Sequence, residues 1–247
     1  HTKARQGSPA MFAWAAPTWA RAAVPQGKGG PMQRPILITG ATDGIGLATA
    51  KLLAADGRRI LLHGRSRRKL NAAAAEIGGD TESYVADLSR IGDVEALAAE
   101  VTAKHSSGLS ALVNNAGVLK TGSPVTDAGL DVRFMVNAIA PYVLTRRLLP
   151  LIGATGRVIN LSSAAQAPVD LDALAGKTRL EAMPAYSQSK LAITMWSLAM
   201  AKELPNGPAV IAVNPGSLLG TKMVREGFGM TGSDINIGAD IVRRLAV

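Results

Sequence analysis

The chain has no cysteine, which excludes disulfide staples and thiolate metal sites. Its histidines, His1, His63 and His105, are scattered without ligand spacing, so no metal centre is expected either. Aromatics make up 4% of the residues and leave the interior to alanine and branched aliphatics. No apolar run reaches the roughly 18 residues that a membrane-spanning helix requires. Acids are missing from everything before Pro35, where Lys3, Arg5, Arg21, Lys28 and Arg34 contribute to a net charge of +9. A second basic group, Arg58, Arg59, Arg65, Arg67, Arg68 and Lys69, flanks one predicted strand. Positive charge divided between a tail and one loop does not make a nucleic-acid surface, and no nucleic-acid partner is expected.

Residues 1–33 show neither helical nor strand periodicity and are rich in Pro, Gly, Ala and Arg. They read as a flexible leader, a tag remnant, or translation begun upstream of Met32. The missing acids also suit an organellar transit peptide; otherwise the expectation is a cytoplasmic protein. Trp14 and Trp19 are expected only to pack on the surface. The remaining 34–247 is the right length for one α/β domain with a complete core.

From Pro35 onward short apolar runs alternate with amphipathic stretches. The runs Ile36–Thr39, Ile60–His63, Ser83–Ala86, Ala111–Asn114, Val158–Ser162 and Val210–Asn214 are nearly continuous in apolar character, as strands buried on both faces are. Helical patterns fall near 45–56, 66–77, 90–104, 127–151 and 184–204, with Ser66 and Ser89 at N-cap positions. This β-α-β alternation predicts a single Rossmann-type, doubly wound parallel sheet with helices on both faces. After Val213 the sequence offers a helix over 237–247 but no seventh strand, so a final strand is expected to be missing.

Between the first run and the first helix lies Thr39-Gly40-Ala41-Thr42-Asp43-Gly44-Ile45-Gly46. Glycines here permit backbone conformations and a close approach to a pyrophosphate that a Cβ would block. The free N–H groups near Ile45 and Gly46 then face the phosphates. The second strand ends in His63-Gly64-Arg65-Ser66-Arg67-Arg68, where an acid would select a ribose 2′-hydroxyl and a base a 2′-phosphate. Arg65 therefore points to NADP(H), with NAD(H) as the less favoured cofactor. Asp43 opposes this by placing a carboxylate near the phosphates, unless it caps the following helix.

Further along stands Tyr186-Ser187-Gln188-Ser189-Lys190, a phenol and an ammonium one helical turn apart. A free phenol titrates near pH 10; bringing it to neutrality takes about 4 kcal/mol of preferential stabilisation of the phenolate. A neighbouring ammonium is expected to contribute to that. Asn137 lies four residues before Pro141, whose ring removes a hydrogen bond to the Asn137 carbonyl and frees it for a water. Alternatively, Asn137 only patches the kink.

Together with Asn114-Asn115-Ala116-Gly117, Asn160-Leu161-Ser162-Ser163 and Pro215-Gly216, these motifs resemble the short-chain dehydrogenase/reductase family over Pro35 to about Asp240. Ala185–Ala192 and the long stretch between Ser163 and Tyr186 are similar to its retinol-dehydrogenase-like branch. The resemblance implies Tyr186 as general acid and base, Lys190 on the nicotinamide ribose, Ser163 on the substrate oxygen and Asn137 in a proton relay. Ser162 is the structural alternative to Ser163. It implies a cofactor held by Gly40, Thr42, Asp43, Gly44, Ile45, Gly46 and Arg65, with Asp87 and Leu88 bordering the adenine. Asn114, Ala116 and Gly117 would line it, and Pro215, Gly216 and Thr221 would lie near the nicotinamide.

Residues 217–236 mix four glycines with Leu218, Leu219, Met223, Val224, Phe228 and Met230, which suits a substrate flap and a small apolar alcohol or carbonyl. The stretch 168–183 is a second candidate wall. Relatives pair through the helices at 127–151 and 184–204, so a homo-oligomer, most simply a dimer, is expected. The expected function is an NADP(H)-dependent oxidoreductase acting on CH–OH groups; the alternative is a non-catalytic NADP(H)-binding regulator or scaffold of the same fold.

Overall fold

The computed structural model describes residues 34–247, and the leader expected over 1–33, with Trp14 and Trp19, lies outside them. β1 (Ile36–Ile38) leads through α1 (Gly44–Ala55), β2 (Ile60–Gly64), α2 (Arg67–Ile77), β3 (Thr81–Val85) and α3 (Ile91–Lys104) to β4 (Ala111–Asn114). A long helical segment follows: α4 (Val132–Phe134), a π-helical turn (Met135–Ile139) and α5 (Ala140–Ile152). Then come β5 (Arg157–Leu161), α6 (Leu171–Leu174), α7 (Ala182–Glu203), β6 (Ala209–Val213), α8 (Lys222–Phe228) and α9 (Ile235–Ala246).

The strands form one parallel sheet in the order β3-β2-β1-β4-β5-β6. Strand order reverses between β1 and β4, and the crevice beyond their carboxyl ends is where a doubly wound sheet binds ligands. Side chains alternate across β1: Leu37 joins one apolar cluster with Leu97, Leu144 and Leu148, whereas Ile36 and Ile38 join the other with Leu53 and Val242. All three β1 side chains are fully buried, which contributes roughly 2 kcal/mol each. Helices α3 and α5 thus cover one face and α1 and α9 the other, as a doubly wound fold requires.

Three boundaries differ from the sequence reading. β3 begins at Thr81 rather than Ser83, because as an edge strand it carries the half-buried Thr81, Glu82 and Ser83 and shows no apolar run there. The helix expected from 127 starts at Val132; Thr126–Gly129 form a turn with Gly129 at φ 80°, and Asp131 caps the helix by accepting from the Arg133 N–H. Ser66 does cap α2, but Ser89 does not cap α3: its N–H and Oγ both donate to Asp87 Oδ1, and the helix starts after Arg90. Among the described residues the sheet ends at β6, and no helix is long and apolar enough to cross a membrane.

Candidate active site

The glycine loop is held from both sides of one peptide. Gly40, at φ 66°, donates its N–H to His63 Nδ1 (3.3 Å), while its carbonyl and that of Thr39 accept from Asn115 Nδ2 (3.1 and 2.8 Å). Thr39 Oγ1 in turn accepts from the N–H groups of Asn115 and Ala116, both at 3.0 Å. A Cβ on Gly46 would lie 2.4 Å from Asn115 Nδ2, and one on Gly40 would lie 2.9 Å from Ala116 Cα. Those two glycines therefore make room for the protein's own Asn115-Ala116 turn rather than for a ligand directly. Gly44 is different: at φ 59°, a Cβ there would meet only Thr221 Cγ2 at 3.9 Å, leaving an open cradle. Ile45 and Gly46 open the first turn of α1, where backbone N–H groups have no intrahelical partner. Asp43 caps α1 by accepting from the Gly44 N–H (2.7 Å), the capping role weighed for it above. Thr42 sits against the end of β2, its Cγ2 2.7 Å from where a Gly64 Cβ would be.

Beyond Gly64, the exposed side chains of Arg65, Arg67, Arg68 and Lys69 make no ion pair among the described residues. Three of them open α2, where the helix dipole disfavours cations, so the cluster is electrostatically unfinished without an anion. Asp87 lies at the end of β3; its carboxylate is engaged by Ser89, and its N–H donates to Asp93 Oδ2 (3.1 Å).

The catalytic candidates converge on α7 and the π-turn. Asn137 is fully buried; its Oδ1 accepts from the Val118 N–H (2.8 Å), and its Nδ2 donates to the Val118 carbonyl (3.0 Å) and Ser189 Oγ (2.9 Å). Ser189 Oγ donates to the Tyr186 carbonyl (2.6 Å), tying the asparagine to the tyrosine's own helix. The π-turn has a sequence cause: Pro141 offers no N–H, and the Ala140 N–H bonds back to the Met135 carbonyl instead. Lys190 Nζ donates to the Leu161 carbonyl (2.7 Å) and stands 5.7 Å from the centre of the Tyr186 ring. Burial, with no carboxylate partner among the described residues, lowers its pKa to about 8. A Cβ on Gly117 would lie 3.4 Å from Asn137 Oδ1, 3.6 Å from Lys190 Nζ and 3.8 Å from Met223 Cε, so this glycine faces the centre of the group.

At Tyr186 burial is the larger influence in the chain without cofactor. Burial raises the phenol above its ordinary value, and hydrogen bonding with Ser163 pulls it back only in part. In the chain alone desolvation outweighs every stabilisation of the phenolate. Ser163 Oγ accepts from the Ala165 N–H (3.1 Å), and its carbonyl accepts from Gln166 Nε2 (2.9 Å). Ser162 points the other way, its Oγ bonded to the Lys190 carbonyl and Thr194 Oγ1 (2.9 and 2.7 Å).

Two residues expected to line the cofactor do not do so with their side chains. Asn114 is 2% exposed; its Nδ2 donates to Asn160 Oδ1 (2.7 Å) and Thr145 Oγ1 (3.0 Å), bridging β4, β5 and α5. Leu88 is 3% exposed and packs in the core with Val94 and Leu97, so only its main chain can border the crevice. The flap also divides. Leu219 is buried, its Cδ1 2.4 Å from where a Gly238 Cβ would be, and its bridge to Ser233 anchors the segment. Leu218, at φ 51°, and Met230 remain exposed, and Met223 Cε lies 3.8 Å from where a Gly117 Cβ would be. Phe228's side chain is outside the described set. Thr221 caps α8 by accepting from the Val224 N–H (3.2 Å), and Pro215 and Gly216 support Leu219 and α9.

Sequence reasoning missed Asn115, Thr39, His63, Ser189 and the buried Asp131–Arg133 pair (2.8 Å), whose Arg133 Nε donates to the Leu119 carbonyl (2.8 Å) beside the flap's Gly227. The open cradle at Gly44, the unpaired cations after β2 and the amine buried near Gly117 together fit an elongated, phosphate-bearing dinucleotide.

Comparison with known proteins agrees. A family model described as short chain dehydrogenase matches residues 34–232. Human Retinol dehydrogenase 13 is 35% identical over 192 residues, 73% of this chain and 58% of that protein. Nodulation protein G of Rhizobium sp. (strain N33) is 37% identical over 175 residues, 69% of this chain and 67% of that protein. The chain spans 58% of human Retinol dehydrogenase 13 and 61% of mouse Retinol dehydrogenase 12. A metagenomic short-chain oxidoreductase solved in complex with NADP superposes with a TM-score of 0.68 at 33% identity, over 87% of this chain and 91% of the other. Family model, motif order and sheet order coincide over nearly all the described residues: the chain belongs to the short-chain dehydrogenase/reductase family, in the branch similar to the retinol dehydrogenases.

Proposed function

We propose that this chain is an NADP(H)-dependent oxidoreductase that interconverts an apolar alcohol and its ketone or aldehyde, with Tyr186 as general acid and base. One observation supports it above the others: Tyr186, Lys190, Ser163 and Asn137 come from three separate elements and form one connected group, with Lys190 and Asn137 beside Gly117, Ser189 linking Asn137 to the Tyr186 turn, and the half-buried Ser163 bonded to the Tyr186 hydroxyl. When bound, the cofactor supplies or accepts the hydride. Lys190 holds the nicotinamide ribose and offers its charge to the phenol. Ser163 orients the substrate oxygen, and Tyr186 gives or takes its proton. Gly44 and the first turn of α1 hold the pyrophosphate, and Met223 closes over the apolar part of the substrate. In the chain without cofactor, burial favours the protonated phenol, the form that gives a proton to a carbonyl oxygen in reduction.

Arg65 selects the 2′-phosphate in this reading. Arg65→Ala is expected to weaken NADPH binding about tenfold and leave NADH binding within a factor of about two, a ratio readable by cofactor fluorescence titration. Equal NADH and NADPH affinities in the wild type, unchanged in the variant, would remove the preference.

The outer face of α5 and α7 is proposed as the contact for a second copy. Tyr142, Met195 and Leu198 are 40%, 55% and 60% exposed there, and Tyr142 stacks edge-on against Trp196 at 5.5 Å. Trp196 Nε1 is buried without an acceptor among the described residues. Leu198→Arg is expected to turn a dimer into a monomer at micromolar concentration, measured by light scattering. A wild-type monomer under those conditions contradicts this.

A further inference from the structure

His63 has no place in the chemistry above, yet it is 2% exposed at the mouth of the crevice and bonded through both ring nitrogens. Nδ1 faces the Gly40 N–H at 3.3 Å, and Nε2 faces the Ala86 carbonyl at 3.1 Å. The Gly40 N–H has only a donor to offer, so Nδ1 is the acceptor and the proton sits on Nε2, where it donates to Ala86. The residue's own carbonyl accepts from the Ala41 N–H (2.9 Å), a second tie to the glycine loop. One side chain on β2 thereby joins the loop after β1 to the end of β3, immediately before Asp87. An imidazolium here would turn a proton toward the Gly40 N–H, and burial holds the ring's pKa down to about 4, so neutrality is the working state.

We infer that neutral His63 is a positioning residue that fixes the glycine loop and the Ala86–Asp87 edge at one spacing, so that a dinucleotide's pyrophosphate and adenosine halves are gripped together. The inference rests on the dinucleotide reading of the site. Two substitutions separate the two bonds. Gln reaches the Ala86 carbonyl but supplies no acceptor at the Nδ1 position. Asn places an amide oxygen where Nδ1 stands, two bonds beyond Cβ, and keeps the bond to Gly40.

NADPH titration and steady-state kinetics on the full chain test this. His63→Gln is expected to raise the Kd and KM for NADPH about tenfold, the worth of one lost hydrogen bond to a partly buried donor, while kcat falls far less. His63→Asn is expected to recover most of that loss. A role in folding alone would lower thermal stability equally in both variants without splitting KM from kcat. Unchanged NADPH binding in His63→Gln, or Asn no better than Gln, overturns the inference while leaving the dinucleotide reading intact. A wild type that does not bind NADPH overturns both. Should the variants fail to fold, nitrogen NMR of the wild-type imidazole decides: a proton on Nε2 at pH 7, with an Nδ1 shift that moves on NADPH addition, is the expected result. A proton on Nδ1, or an Nδ1 shift indifferent to NADPH, contradicts it.

Discussion

Tyr186→Phe is expected to lower kcat for carbonyl reduction about a thousandfold and to leave NADPH affinity within a factor of about three. Phenylalanine keeps the ring that packs beside Lys190 and removes only the hydroxyl shared with Ser163. The proton is lost to the reaction while the cofactor's contacts remain, so kcat and Kd separate. Direction matters as well. With the phenol raised by burial, reduction is expected to be flat around neutral pH. Alcohol oxidation, which needs the phenolate, is expected to keep accelerating into the alkaline range. A variant that retains a tenth or more of wild-type kcat would show that some other group moves the proton.

The second large effect is on stability, and its sign runs against the usual result of mutating a buried residue. Lys190 is 4% exposed, and among the described residues its charge has no carboxylate partner; its Nζ donates to the Leu161 carbonyl. Its pKa falls from 10.5 to about 8 on folding. Below pH 8 both folded and unfolded chains carry the proton, and the folded state bears the whole desolvation cost, about 3 kcal/mol. Between pH 8 and 10.5 the folded chain sheds the proton first, so wild-type stability rises with pH across that window. Lys190→Met removes the charge and forfeits one hydrogen bond, about 1 kcal/mol. The variant is therefore expected to be about 2 kcal/mol more stable than wild type at pH 7 by urea unfolding without cofactor. The difference should vanish by about pH 10, and the variant should be inactive. A Lys190→Met protein less stable than wild type at pH 7, or a difference that does not change with pH, contradicts this account. That result would mark Lys190 as a group held at the expense of stability, as expected of one kept for chemistry.

The strands and motifs were legible because their signals are local. The apolar runs at Ile36, Ile60, Ala111 and Val158 lie within two residues of the observed strands, and Pro141 marked the helical distortion four residues from Asn137. What the sequence did not reveal depends on neighbours made by the parallel sheet. Asn115 meets Thr39 and Gly40 only because β4 lies beside β1, and His63 meets Gly40 and Ala86 only because β2 lies between β1 and β3. Nothing local marks either residue as a clamp. The direction of the Asn114 side chain depends on the same neighbours. Its neighbour in the motif faces the loop, whereas Asn114 itself, one residue earlier on the strand, turns inward to Asn160. The balance of effects on the phenol is illegible in the sequence for a related reason. Spacing shows that Lys190 is near Tyr186, but it does not show that both are buried deeply enough for desolvation to dominate.

The central claim is that this cluster passes a hydride between a nicotinamide and a carbonyl carbon while Tyr186 handles the proton. The most direct measurement supplies NADPH deuterated at the nicotinamide C4 to a panel of apolar ketones and aldehydes and weighs the alcohols formed. The account predicts an alcohol carrying one deuterium on the former carbonyl carbon from one of the two C4-labelled forms, with formation suppressed in Tyr186→Phe. Alcohol formed without the label from both labelled forms, or no alcohol from any member of the panel by a protein that binds NADPH, would contradict it.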